Sequence, residues 1–204
     1  VSVETLILIR HGETLHNVAG IAQGWQDSEL SERGQRQVRQ LAERLKAMRI
    51  DAIFSSPLSR ALATAQAVAD ATGLAISTID ELREMNYGGW EGRSFLDVRK
   101  VDEDIFQKWI ADGATPCPDG ESHSDVRARM EAAFAKIGGD GAKRVAVVTH
   151  GTAIRVAVTA LLELPVMTSR HFAQDNAAMN VFVRRADRWI LKVWNDATHC
   201  VEPK

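Results

Sequence analysis

Two short apolar runs, each cut off by a histidine, constrain this chain more than any other feature. Leu6-Ile7-Leu8-Ile9 ends in Arg10-His11-Gly12, and Val145-Ala146-Val147-Val148 ends in Thr149-His150-Gly151. A bounded apolar run of four branched residues reads as a strand buried on both faces, the kind found in parallel sheets covered by helices. Ala52-Ile53-Phe54, stopped by Ser55-Ser56-Pro57, is a third such run, and residues 75–79 are a fourth.

Between these runs the apolar period lengthens. Val38, Leu41, Ala42, Leu45 and Met48 recur at helical spacing after Ser31. A second helix is expected up to Thr72, with Gly73 placed to end it. Val126, Met130, Phe134 and Ile137 mark a helix before the second histidine strand, and another is expected from about Thr152 to Leu164. Residues 178–183 and 189–193 alternate around Ala186-Asp187, as an antiparallel hairpin does. Residues 16–30 read as a polar loop. Strands alternating with helices predict an α/β fold, a three-layer α/β/α sandwich with a mostly parallel mixed sheet. No repeat or linker interrupts the 204 residues, so one domain is expected over 1–204. Residues 90–118 differ in texture, with mixed charges and one helix through Phe106 and Trp109, and are expected to form a lid-like insertion.

Bulk properties narrow the partners. The formal net charge is −2 with no Lys/Arg block, which argues against nucleic acid. The longest apolar region, 156–167, contains Glu163 and Pro165, so no membrane span is expected. Val1 leads into the first strand without the basic segment and long apolar core of a secretory leader. Cys117 and Cys200 lie far apart, which fits a reducing cytoplasm. A homodimer is left open.

The chemistry lies where the strands stop. Ligands of open α/β sheets bind outside the carboxyl ends of the strands, and Arg10, His11, Arg60 and His150 reach that edge by separate crossovers. Such a cluster suits a phosphate dianion, because guanidinium forks match its oxygens. The helix starting near Thr152 is expected to aim free N–H groups at the same anion. Taken singly, each residue has a structural reading. A strand-end histidine is as often structural as catalytic, Asn17 and Gln23 suit a loop, and Glu84 suits a solvated surface.

The motifs together resemble the histidine phosphatase superfamily, which includes the cofactor-dependent phosphoglycerate mutases. Leu8-Ile9-Arg10-His11-Gly12-Glu13-Thr14 with Asn17 is similar to its nucleophile motif, and Gln23-Gly24-Trp25 and Leu30-Ser31-Glu32-Arg33-Gly34 to the loop and helix start after that motif. Ser55-Ser56-Pro57-Leu58-Ser59-Arg60-Ala61, Leu82-Arg83-Glu84 before Tyr87-Gly88-Gly89-Trp90-Glu91-Gly92, and Val148-Thr149-His150-Gly151 resemble the later motifs, in family order. The resemblance implies that His11 becomes phosphohistidine and that Arg10, Arg60 and His150 form the phosphate pocket. It also implies that Asn17, Gln23, Gly24 and Gly151 border the pocket and that Glu84 protonates the departing oxygen. Glu84 must then be protonated when the ester breaks, a form that bound phosphate beside it favours. Glu13 is the next carboxylate in line for that role.

Other phosphatase chemistries lack their residues here. The histidines show no HxH or HExxH spacing, so no metal is expected, and no cofactor is called for. Cys117 is followed by Pro118-Asp119-Gly120-Glu121-Ser122-His123, without the arginine a cysteine phosphatase needs. A non-catalytic phosphate-binding module is disfavoured because His11 and Glu84 are both present. The mutases most like this chain carry a basic pair after the acid segment. This chain offers Arg93, Arg99 and Lys100 before Asp102-Glu103-Asp104, with no twin arginine near Thr115-Pro116-Cys117-Pro118. The expected activity is hydrolysis of small phosphorylated metabolites, with phosphoglycerate mutation as the alternative.

Overall fold

The computed structural model describes residues 3–137 and 141–201, so the ends of the expected 1–204 span lie outside the described residues. Strands β1 (Thr5–Arg10), β2 (Ala52–Ser55), β3 (Ile76–Thr78) and β4 (Arg144–Thr149) run parallel in the order β3-β2-β4-β1. Strands β5 (Met179–Arg185) and β6 (Arg188–Asp196) extend the sheet antiparallel beyond β1. The helices are α1 (Leu15–Val18), α2 (Glu32–Met48), α3 (Ser59–Thr72), α4 (Phe95–Val101), α5 (Glu103–Ala111), α6 (His123–Ile137) and α7 (Gly151–Leu161).

Alternation along the strands builds two cores from one sheet. Leu6, Leu8, Phe54, Val145, Val147 and Phe182 face α6 and α7, through Val126, Met130, Ile154 and Val158. Ile7, Ile9, Ile53, Ala146, Val148 and Met179 face α2 and α3, through Leu41, Leu45, Ala65 and Val68. The fold is therefore the expected three-layer sandwich with a mixed, mostly parallel sheet. Among the described residues, no helix is long and apolar enough to cross a membrane.

The structure corrects several local expectations. The polar loop over 16–30 contains the end of α1, because Thr14 and Asn17 form a reciprocal capping box. The strand over 75–79 shortens to β3, an edge strand whose Ser77 and Thr78 are exposed. The helix expected through Phe106 and Trp109 is α5, with α4 as a separate helix before it. The break falls at Asp102, whose carboxylate accepts Trp90 Nε1–H at 3.0 Å and Arg93 Nη1–H at 3.3 Å.

Leu8 is fully buried in the central strand, between β4 and β5. Leu8→Ala leaves a cavity that neighbouring strands cannot close, so it is expected to cost about 2–5 kcal/mol. Equilibrium urea unfolding measures this, and a loss below about 1 kcal/mol would contradict the packing described.

Candidate active site

The carboxyl ends of β1 and β4 and the loops around them enclose a cavity of about 230 Å³. Arg10, His11, Asn17, Gln23, Gly24, Arg60, Glu84 and Gly151, all expected from sequence, line it. His150 is not among the lining residues. It is fully buried against His11, with ring centroids 5.2 Å apart.

His11 starts the turn that leaves β1. Its N–H donates to Thr149 O at 3.0 Å and its carbonyl accepts from Ala177 N at 3.1 Å, so β4 and the turn before β5 hold it. Nδ1 lies 2.7 Å from Gly12 O. A carbonyl only accepts, so Nδ1 carries the proton and Nε2 keeps its lone pair. Gly12 is fixed in turn, its N–H donating to Thr64 Oγ1 at 3.0 Å while that hydroxyl donates to Arg60 O at 2.8 Å. Burial, then Arg60 and Arg10, push the His11 pKa well below its ordinary value, which keeps the ring neutral.

His150 is held from its other side. Ser56 Oγ accepts from Leu58 N at 3.3 Å and lies 2.7 Å from His150 Nε2. The Nδ1 of His150 is buried without a partner. Burial first, then Arg60 and His11, lower the pKa of this ring too.

The two arginines are anchored in part without losing their charge. Arg10 donates Nη1–H to Gln174 O at 2.5 Å. Arg60 donates to Gln26 O at 2.8 Å and to Gly24 O at 2.7 Å. All three acceptors are neutral carbonyls, and Nε of each arginine is buried without a partner. Burial lowers both guanidinium pKa values, while Glu84 opposes that effect. Glycines make the approach possible. Gly24 has φ 54°, and a Cβ there would lie 1.8 Å from Glu91 Oε1, the oxygen that accepts Trp25 N–H. A Cβ on Gly151 would sit 3.3 Å from Arg10 Nε.

Asn17 and Gln23 complete the polar lining. Asn17 Oδ1 accepts from Thr14 N at 3.2 Å and from Asn176 Nδ2 at 3.0 Å, bonds that do not use its own amide donor. Gln23 is buried and its Oε1 has no partner.

Glu84 comes just after a short 3-10 turn (Asp80–Leu82). Its Oε1 accepts from Met85 N at 2.8 Å and Ala153 N at 3.0 Å, and its Oε2 from Thr152 N at 3.1 Å. This corrects the expectation that the start of α7 turns free N–H groups to the anion. His150 supplies no side-chain cap, so those donors are satisfied by Glu84 instead. Glu13 is also corrected as a second acid candidate. It accepts from Ser31 Oγ at 2.7 Å and Arg33 Nη1 at 3.1 Å, at the start of α2, and does not line the cavity.

Sequence reasoning missed four polar residues that line the cavity: Tyr87, Thr152, Arg155 and Gln174. Tyr87 Oη lies 2.6 Å from Thr152 Oγ1, which also accepts from Arg155 Nη2 at 2.8 Å. Burial, then Glu84, raises the Tyr87 pKa and keeps it a phenol. Arg155 had a signal, since it stands four residues after Gly151 and so on the same face of α7. Gln174 had none, because only the return of the chain beside β1 brings it to Arg10. Among the described residues, no group of three or more His, Cys, Asp or Glu is arranged to hold a metal ion.

The sequence model of the histidine phosphatase superfamily (branch 1) matches residues 6–197. A curated protein of Erwinia tasmaniensis, named "Probable phosphoglycerate mutase GpmB", is 34% identical over 190 residues, 92% of this chain and 88% of that protein. Similar solved structures bear phosphatase names. A mycobacterial glucosyl-3-phosphoglycerate phosphatase bound to VO3 aligns with TM-score 0.86 at 33% identity, covering 94% of this chain and 99% of its own. Phosphoserine phosphatase of Entamoeba histolytica in complex with 3-phosphoglyceric acid aligns with TM-score 0.86 at 29% identity, covering 97% and 99%.

The buried imidazoles make stability depend on pH. The unfolded chain binds protons at its histidines near pH 6.5, whereas His11 and His150 refuse them in the fold. Stability is therefore full above about pH 6.5 and falls as pH drops below it, by up to about 1.4 kcal/mol per pH unit for each histidine. Imidazole nitrogen NMR should find both rings neutral at about pH 6, with hydrogen on Nδ1 of His11. A His11 ring titrating near 6.5 would contradict the site described.

Proposed function

We propose that this chain, which belongs to the histidine phosphatase superfamily (branch 1), hydrolyses phosphomonoesters of small metabolites through a covalent phosphohistidine at His11. The observation that carries this reading is the state of His11. Its ring is neutral, its proton is held on Nδ1 by Gly12 O, and its Nε2 lone pair belongs to a cavity lined by two guanidiniums.

The steps accord with that geometry. The substrate phosphate enters between Arg10 and Arg60, whose unpartnered Nε–H groups bind its oxygens, with the Asn17 and Gln23 amides as further donors and His150 behind His11. Gly151 leaves the space that the Arg10 guanidinium needs, and Gly24 the space that the Glu91 carboxylate needs. Nε2 attacks phosphorus in line, the P–N bond forms, and the P–O bond to the alcohol breaks. Glu84 gives its proton to the departing oxygen. The positive charge that develops on the imidazole strengthens the Nδ1–H bond to Gly12 O. Water then attacks phosphorus and its proton goes to Glu84. The P–N bond breaks, returning neutral His11 and a carboxylic acid at Glu84. The arginines act throughout by neutralising oxygens that crowd with charge in the transition state.

Hydrolysis is favoured over mutation by the basic residues after the acid segment. Arg93 is paired with Asp102 at 3.3 Å, and Arg99 and Lys100 are exposed on α4 and line neither this cavity nor its neighbour. The names of the curated relatives keep the mutase reading as the one to test against. Rapid quench of the enzyme with 32P-labelled 3-phosphoglycerate should give a base-stable, acid-labile adduct that His11→Ala lacks, and inorganic phosphate as the main product. Rapid formation of 2-phosphoglycerate on addition of a bisphosphoglycerate primer would assign the mutase instead.

Glu84→Gln should separate substrates by their leaving groups. An alkoxide is strongly basic and needs a proton, whereas p-nitrophenolate leaves unaided. In single-turnover formation of the phosphoenzyme, the variant is expected to lose about a hundredfold or more on an alkyl phosphate and far less on p-nitrophenyl phosphate. Equal losses would remove Glu84 from the role of acid.

A further inference from the structure

A second cavity of about 300 Å³ adjoins the first, and the two share Tyr87, Phe95, Thr152 and Arg155 in their walls. Phe95, Phe106 and Trp109 give the second cavity flat apolar surfaces, with Phe95 and Trp109 stacked at an interplanar angle of 13°. These residues serve two purposes, since Trp90 beside them is wholly core while Trp109 faces both core and cavity.

Two polar groups in this wall are left unmatched by the protein. Trp109 Nε1–H and His123 Nδ1 are both buried without a hydrogen-bond partner, and His123 as a whole is only 4% exposed. Leaving such groups unpaired is costly, and a ligand that pairs them recovers the cost. The charges are one-sided as well. Arg155 and Arg170 both line the cavity, Arg170 donating Nη1–H to Ile110 O, and no Asp or Glu lines it among the described residues. His123 adds no charge at neutral pH, since burial lowers its pKa to about 4.

Accepting that phosphate is cleaved at His11, we infer that the second cavity holds the alcohol half of the substrate, and that this half carries a ring and a second oxyanionic group. Aromatic walls favour a flat ring through offset or edge contacts. Guanidinium groups without carboxylate partners favour an oxyanion, and the unmatched Trp109 N–H adds a further donor. Arg155, lining both cavities, stands between the phosphate to be cleaved and the ring beyond it. A carboxylate and a second phosphate satisfy the same donors, and the test distinguishes them.

The experiment is calorimetric binding of non-hydrolysable phosphonates to the intact enzyme: benzylphosphonate, its 4-carboxy analogue and its 4-phosphonomethyl analogue. One or both para-substituted ligands should bind about tenfold tighter than benzylphosphonate or better, a difference of about 1.4 kcal/mol. The tighter of the two identifies the oxyanion. That advantage should shrink severalfold in Arg170→Gln, an exposed position whose substitution leaves the buried core alone, and likewise in Arg155→Gln. Equal affinity for all three ligands overturns the inference, as does an advantage that survives both substitutions. Turnover of p-nitrophenyl phosphate, measured on the same samples, tests the hydrolase reading separately. Selective binding without turnover would reject hydrolysis and keep the ligand class, while turnover without selectivity would do the reverse.

Discussion

The structure of this site depends on placing two guanidiniums in the interior and anchoring them on carbonyls. Buried cations ordinarily need a carboxylate, and the resulting pair is nearly neutral to any ligand. Arg10 and Arg60 instead bond to Gln174 O, Gln26 O and Gly24 O, which meet some of their N–H groups and leave the charge in place. That retained charge makes the cavity an anion site, and it also disfavours protonation of His11 and His150. One arrangement therefore supplies both the positive charge and the neutral imidazole that the proposed phosphoryl transfer calls for. Its cost appears in the loops. Segment 24–26 and Gln174 present backbone oxygens inward, with Gly24 in left-handed backbone, and Ala177, also left-handed, donates its N–H to His11 O.

Glu84 is held by a different device. It lies in irregular chain, where no strand or helix sets its direction. Arg129 on α6 supplies the missing order by donating to Glu81 O at 2.8 Å, Arg83 O at 2.6 Å and Glu84 O at 2.9 Å. The same guanidinium pairs with Glu121 at 2.7 Å, and Glu121 accepts Asn86 N–H at 2.8 Å. Trp25 Nε1–H adds a bond to Glu84 O from the opposite loop. A single arginine thus converts a loop into a rigid mount, while the first N–H groups of α7 fix the carboxylate at its far end.

Much of this was legible in the sequence for a physical reason. A strand buried on both faces cannot hide its pattern, so β1, β2 and β4 stood out. Residues directly after such strands must lie at one edge of the sheet, which placed Arg10, His11 and Arg60 together from sequence alone. Proximity to the strand end did not decide orientation, however. His150 ends β4 as His11 ends β1, yet its Nε2 meets Ser56 and its ring lies outside the lining of the cavity. The N–H groups of α7 illustrate the same gap, since their partner comes from a segment 68 residues away. Gln174 and Arg129 were illegible because their roles rest on tertiary contacts without any local period.

The region after Glu84 shows how that gap bears on specificity. Its sequence suggests one helix through Phe106 and Trp109, and that says nothing of which rings are sealed and which face open space. The structure divides them by depth. Trp90 donates to Asp102 and is sealed in the core, whereas Phe95, Phe106 and Trp109 leave part of their surface open to a cavity. Packing of this kind ties recognition to stability. The rings that face the cavity also join the core formed by α6 and α7, and α7 carries Thr152 and Arg155. A change that reshapes the second cavity is therefore felt at the hydroxyl linking Tyr87 to Arg155, and through Thr152 N–H at the carboxylate of Glu84. Under the proposed function, these contacts link the alcohol half of the substrate to Glu84 as the acid.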